Sequence, residues 1–241
     1  MASPAVFAPA PKPKIVLVHG AFAESASWNG VIAALARRGY RVTAAANPLR
    51  GVAGDAAYVD AVVRSTLGPV ILVGHSYGGA VISGVAADNV KALVFVSAFA
   101  PKVGESVSDL ISKYPAPAFS AALTHLPLSN GDVDLVVRQE SFPAVMAPDV
   151  PLANARLMAA EQRPVSQRAF TEKASKAAWK AVPSWYVYGS KDRAIAPAAM
   201  AFMAKRAGAR QVVVIPGGSH LALVSHPLDV AEVIEVAVDA A

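Results

Sequence analysis

The apolar run Val70-Ile71-Leu72-Val73 leads without a break into Gly74-His75-Ser76-Tyr77-Gly78-Gly79 and then into the small-residue segment 80–87. Four consecutive apolar residues suit a strand buried on both faces, and the small residues that follow suit a helix packed closely on a sheet. A chain that passes from strand to helix within two residues must turn sharply. A serine at the apex takes a strained backbone conformation, and glycines two residues to either side let strand and helix approach without β-carbon clashes. Alone, Gly74-x-Ser76-x-Gly78 is a short pattern. Between a strand and a helix it reads as a nucleophile elbow.

The rest of the chain repeats this alternation. β-Branched apolar runs fall at 15–18, 41–46, 70–73, 92–96, 185–188 and 211–215, and helix-compatible segments at 28–38, 55–67, 77–87, 197–207 and 228–238. Strands that alternate with helices and carry few internal charges form a parallel sheet covered on both faces, so the fold class is α/β. The rhythm breaks after Val96-Ser97-Ala98-Phe99-Ala100-Pro101 and resumes at Trp185. A structureless loop of that length is improbable inside a compact domain. The segment 101–180, with short amphipathic stretches at 105–114 and 133–141, is therefore expected to be an inserted, mostly helical cap on a core of 14–100 and 181–241. Residues 1–13, rich in Ala and Pro, read as a lead-in tail without a complete signal peptide.

A serine hydroxyl is a weak nucleophile near neutral pH. It needs a histidine base, which in turn needs an acid to hold its tautomer and stabilise the imidazolium. Five histidines compete for the role. His220 follows the run 211–215 and the turn Pro216-Gly217-Gly218-Ser219, which puts it at the C-terminal end of a strand, where open parallel sheets gather ligands. His226, in Ser-His-Pro, is the runner-up and resembles the start of the last helix. His19 and His75 read as structural hydrogen bonders, and His125 falls in the cap. Asp192, just past 185–188, supplies the acid and keeps the order Ser, acid, His; the competing reading is a turn or helix-capping Asp. Ser97 to Lys102 offers no acid after the fourth strand.

The tetrahedral intermediate also requires hydrogen-bond donors for its oxyanion. One is the backbone N–H of Tyr77, and the other comes from the loop His19-Gly20-Ala21-Phe22, from Ala21 or, second, Phe22. Trp28, Tyr77, Phe99, Phe119 and Phe142 are candidates for an apolar pocket and equally for core.

Other chemistries lack residues. There is no cysteine, hence no thiolate nucleophile or thiolate metal site, and no histidine spacing suited to a metal; no metal and no cofactor are expected. The 22 basic residues behind the net charge of +5 are spread along the chain, so nucleic acid is not an expected partner. The apolar runs are strand-length and none would cross a bilayer. A soluble protein is expected, cytoplasmic or exported, as a monomer or a homodimer.

Taken in order, His19-Gly20-Ala21-Phe22, Gly74-His75-Ser76-Tyr77-Gly78-Gly79, Asp192 and Gly218-Ser219-His220 resemble the α/β-hydrolase superfamily over nearly the whole chain. Within it, the absence of strands before Ile15 and the Ser-His-Pro after the triad are similar to small bacterial esterases related to plant methylesterases and hydroxynitrile lyases. The resemblance implies a six-stranded, mainly parallel core under a helical cap. It also implies a cofactor-free triad of Ser76, His220 and Asp192 acting on a small-molecule ester, small to medium and apolar, with lactones included. Hydroxynitrile lyases of this group carry threonine and lysine where this chain has Gly20 and Leu221, which favours hydrolysis. A receptor-like binder with slow turnover and perhydrolase-type activity are the other readings that the elbow leaves open.

Overall fold

The computed structural model describes residues 12–241, so all but the end of the expected lead-in tail lies outside the described residues. Six parallel strands form the central sheet: β1 (Lys14–Val18), β2 (Val42–Ala45), β3 (Val70–His75), β4 (Val90–Val96), β8 (Ser184–Gly189) and β9 (Gln211–Ile215), in the order β2-β1-β3-β4-β8-β9. β1, β3 and most of β4 are buried along their length. This is why they read as unbroken apolar runs rather than alternating ones. The outermost strand β9 exposes Val212 and Val214, as an edge does.

The strand order reverses at β1. The chain moves outward from β1 to β2, then returns to place β3 on the other side of β1. Because crossovers are right-handed, this reversal sends the first helix to one face and the next helices to the other. Accordingly α1 (Asn29–Arg37) packs on the C-terminal helix α11 (Pro227–Asp239), and α2 (Val52–Arg64) packs on α3 (Tyr77–Ser83). The loops that leave β1 and β3 diverge over the C-terminal edge of the sheet and open a crevice there. α9 (Pro197–Arg206) and the short α10 (Ala222–Ser225) follow β8 and β9.

The insertion lies between β4 and β8. It holds α4 (Val107–Lys113), α5 (Pro117–Ala122), α6 (Phe142–Val145), α7 (Leu152–Glu161) and α8 (Gln167–Thr171), but also a three-stranded antiparallel sheet, β5 (Leu123–Pro127), β6 (Val133–Val137) and β7 (Val165–Ser166). The cap is thus helical with a sheet added, and the stretch from Val133 is a strand. Polar ties fasten it to the core. Arg50 makes paired hydrogen bonds to Asp134 on β6, and the Ser166 N–H donates to the Leu49 carbonyl at 2.9 Å. Glu105 receives the Arg206 guanidinium at 2.8 Å in a mostly buried pair. No helix among the described residues is long and apolar enough to cross a membrane.

Candidate active site

Ser76 stands between β3 and α3 with φ 53° and ψ −123°, a left-handed backbone on a residue that carries a β-carbon. Such a conformation persists only where its surroundings over-determine it. Here the Ser76 N–H donates to the Val96 carbonyl at 3.2 Å, and the Ser76 carbonyl accepts from the N–H groups of Gly79 and Phe99 at 3.0 and 3.1 Å. The flanking glycines are sterically required. A β-carbon at Gly74 would lie 2.6 Å from the Gly78 carbonyl oxygen, and one at Gly78 would lie 2.5 Å from that of Val18.

The structure brings Ser76, His220 and Asp192 together from three strand ends. Ser76 Oγ lies 2.9 Å from His220 Nε2, and His220 Nδ1 lies 2.8 Å from Asp192 Oδ2. All three side chains are buried. Asp192 also performs the turn role considered for it: its Oδ1 accepts from the N–H groups of Ala194 and Ile195 at 2.8 and 2.9 Å. One carboxylate oxygen is thereby fixed by backbone, and the other is aimed at the imidazole. With Asp192 accepting at Nδ1, the neutral His220 carries its proton there and presents Nε2 as an acceptor to the serine hydroxyl.

The other histidines fall elsewhere. His226 faces Asp149 and Asp229 at 3.6 and 3.5 Å. His125 is an exposed residue of β5. His19 donates from Nδ1 to the Gly20 carbonyl at 2.9 Å and accepts the Asn47 N–H on Nε2 at 3.1 Å, so it fixes the loop after β1 in its neutral form. Burial lowers its pKa from 6.5 to about 4, with the Arg163 guanidinium adding to the fall and the Gly20 carbonyl opposing it. His75 donates to the His220 carbonyl at 3.0 Å, and burial, then the neighbouring His220, hold its pKa well below the usual value.

The loop after β1 lies directly over the elbow. Neither the Ala21 nor the Phe22 N–H has a protein acceptor among the described residues. The Tyr77 N–H, first in α3, has no acceptor within its helix. Tyr77 is anchored at its far end, where its hydroxyl donates to Asp55 Oδ2 at 2.7 Å. Asp55 is a buried carboxylate that also accepts from the Arg50 and Gly51 N–H groups. Burial raises its pKa, while the Tyr77 hydrogen bond and the backbone donors pull it back.

Asp55 and Asp149 belong to this neighbourhood but gave no signal in the sequence. Asp149, from the cap, accepts the Ser219 N–H at 2.8 Å and the Ser225 hydroxyl at 2.9 Å, gripping the loop that carries His220 on both sides. A lone aspartate in a loop has no periodicity or motif, and its partners are distant in sequence.

A cavity of about 10 Å³ sits on Ser76 and His220, walled by Phe22, Phe99, Phe119, Met146, Phe170 and Ile195. Phe99 and Phe119 thus line it, whereas Trp28 and Phe142 are buried elsewhere. Tyr77 stacks behind Phe170 with ring centroids 6.2 Å apart. An apolar wall over a buried Ser–His–Asp relay is an arrangement that can support nucleophilic attack on an uncharged carbonyl. Among the described residues no group of three or more His, Asp or Glu converges as a metal cluster would.

Comparison with known proteins agrees with this architecture. The model of an alpha/beta hydrolase family matches residues 15–233. A carbendazim-hydrolysing esterase of Nocardioides sp. (strain SG-4G) is 37% identical over 121 residues, covering 44% of this chain and only half (50%) of that protein. An alpha-hydroxynitrile lyase of Arabidopsis thaliana is 27% identical over 241 residues, 90% of this chain and 93% of that protein. In fold, the crystal structure of polyneuridine aldehyde esterase superposes with a TM-score of 0.81 at 19% identity, over 94% of this chain and 99% of that chain. The chain belongs to the alpha/beta hydrolase family.

Proposed function

We propose that the protein is a serine carboxylic-ester hydrolase acting on small to medium apolar esters, lactones included. The observation that carries this reading is the unbroken relay from Ser76 Oγ to His220 Nε2 at 2.9 Å and from His220 Nδ1 to Asp192 Oδ2 at 2.8 Å, buried under an aromatic wall. Ser76 Oγ attacks the ester carbonyl as His220 takes its proton, and Asp192 stabilises the imidazolium. The N–H groups of Tyr77 and Ala21, with Phe22 as the adjacent donor, hold the oxyanion. Collapse releases the alcohol, which receives the proton from His220. Water, activated by the same histidine, then attacks the acyl-Ser76 and frees the acid.

The carbendazim-hydrolysing relative supports ester-type hydrolysis, and the hydroxynitrile lyase relative supports a second reading, cyanohydrin cleavage. Two residues favour the first. Gly20 sets no hydroxyl beside Ser76, and the residue after His220 is the buried, apolar Leu221, which offers no cation to a leaving cyanide.

The test is an ester panel combined with fluorophosphonate labelling. Wild type turns over p-nitrophenyl acetate repeatedly and is labelled at Ser76, while Ser76→Ala does neither and keeps its circular dichroism spectrum. Turnover retained in Ser76→Ala would overturn the mechanism. Labelling of Ser76 with a single turnover on every ester would favour a receptor-like binder, and release of cyanide from mandelonitrile without ester turnover would favour the lyase.

A further inference from the structure

The cavity over Ser76 is small, about 10 Å³, room for about one water, so an ester of any size needs one of its walls to move. Two larger depressions flank it. One, of about 240 Å³, is lined by Phe22, Ala26, Gly30, Met158, Gln162 and Val224 among others, and lies between the loop after β1, the end of α7 and α10. The other, of about 350 Å³, is lined by Pro115, Ala116, Ala118, Arg193, Ala196 and Pro197 on the Asp192 side. Only the first shares a residue with the catalytic cavity, and that residue is Phe22.

Phe22 is an unusual wall. Its φ is 59°, a conformation rare for a bulky side chain outside glycine turns. Its ring rests edge-on against Phe119 at 5.9 Å and tilted against Phe170 at 6.3 Å, both of them cap residues. Nothing polar fastens the ring: it is held by apolar burial and by two aromatic contacts, each worth about 1 kcal/mol beyond that burial. The groove behind it also has the right position for one half of an ester. Val224 stands one turn of chain beyond His220, the group that must hand its proton to the departing alcohol. The alcohol portion must therefore lie on the His220 side.

Resting on the esterase reading above, we infer that Phe22 is a specificity-determining partition, and that the groove behind it takes the alcohol portion of the substrate once the ring swings aside. The groove lining includes Glu24 and Glu161 and no Lys, Arg or His, so the alcohol portion it accepts is apolar and neutral or cationic, not anionic. The acyl portion takes the space that the displaced ring opens beside Phe99, Phe119 and Ile195.

The experiment compares a pair of fluorophosphonates, one with a methyl and one with a bulky aryl alkoxy group, by their rates of Ser76 labelling, alongside kcat/KM for methyl and naphthyl acetates. Phe22→Ala is expected to raise the bulky-to-small ratio by about tenfold, and Ala26→Trp, on the exposed rim of the groove, to lower it by about as much. Ala118→Trp, in the opposite depression, leaves the ratio unchanged. If Ala118→Trp rather than Ala26→Trp lowers the ratio, the alcohol lies on the other side and the inference is wrong; a ratio indifferent to both Phe22→Ala and Ala26→Trp overturns it equally. Labelling reports access without requiring turnover. Failure of every ester with Ser76 still labelled would therefore sink the hydrolase reading while leaving the partition measurable.

Discussion

Gly20 approaches Ser76 so closely that a β-carbon on it would lie 2.6 Å from the serine β-carbon and 3.0 Å from the His75 ring and carbonyl. Backbone on one side and a strained elbow on the other leave little room to yield. Gly20→Thr is expected to cost about 1–3 kcal/mol of stability through overpacking and to lower kcat/KM at least about tenfold by displacing the nucleophile. Thermal melts and initial rates on a p-nitrophenyl ester check both, and a variant with wild-type rates would show that the loop shifts freely.

Asp192 is held by two backbone donors, so Asp192→Asn changes chemistry more than geometry. The amide turns an acceptor of the His220 proton into a group that can donate, which favours the wrong imidazole tautomer. A loss of about 10⁴-fold in kcat with an unchanged melting curve is expected. Steady-state kinetics with a fold check measures it, and a loss under about tenfold would move the acid elsewhere.

Asp149 joins the cap to the loop of His220. Asp149→Ala strands the buried Ser219 N–H and frees the Ser225 hydroxyl, a destabilisation of about 1–3 kcal/mol. Faster hydrogen exchange at 217–222 and a several-fold fall in kcat are expected. Asp149→Asn, which keeps an acceptor oxygen, should recover much of both. Equal damage from Ala and Asn would point to the charge rather than the hydrogen bonds.

His19 and His75 predict acid sensitivity. Both are buried neutral, His19 with its pKa lowered from 6.5 to about 4 and His75 well below its usual value. In the unfolded chain each binds a proton near pH 6.5. The unfolded state therefore gains protons first as pH falls, and stability present above pH 6.5 is lost on the way down to about pH 4. For His19 alone the loss approaches about 3 kcal/mol. Asp55 has the opposite sign, since its raised pKa lets the folded state take up a proton first, and it offsets part of the loss. Urea midpoints measured from pH 7.5 to 4.5 should fall, and a flat profile would contradict neutral burial.

The core was legible because burial on both faces writes itself into β1, β3 and β4 as continuous apolar runs, and because a left-handed serine between strand and helix needs Gly74 and Gly78 nearby. The cap was less so. Val133, Leu135 and Val137 alternate as a strand should, yet five residues are too few to separate strand from helix until Leu123–Pro127 pairs with them in antiparallel register. Phe22 and Phe170 meet only in space, as do Asp149 and Ser219. Contacts of this kind carry no local pattern.

The insertion leaves and rejoins the core between neighbouring strands, which suggests a detachable module, but its anchors reach much farther. Asp134 takes Arg50 beyond β2, and Asp149 takes Ser219 beyond β9. A cap transplanted from another family member without matching acids would leave Arg50 and the His220 loop without their partners. Recombining whole caps is therefore a poor route to new substrates, and changes confined to the aromatic wall, which bears none of these anchors, are the evolvable part of the molecule.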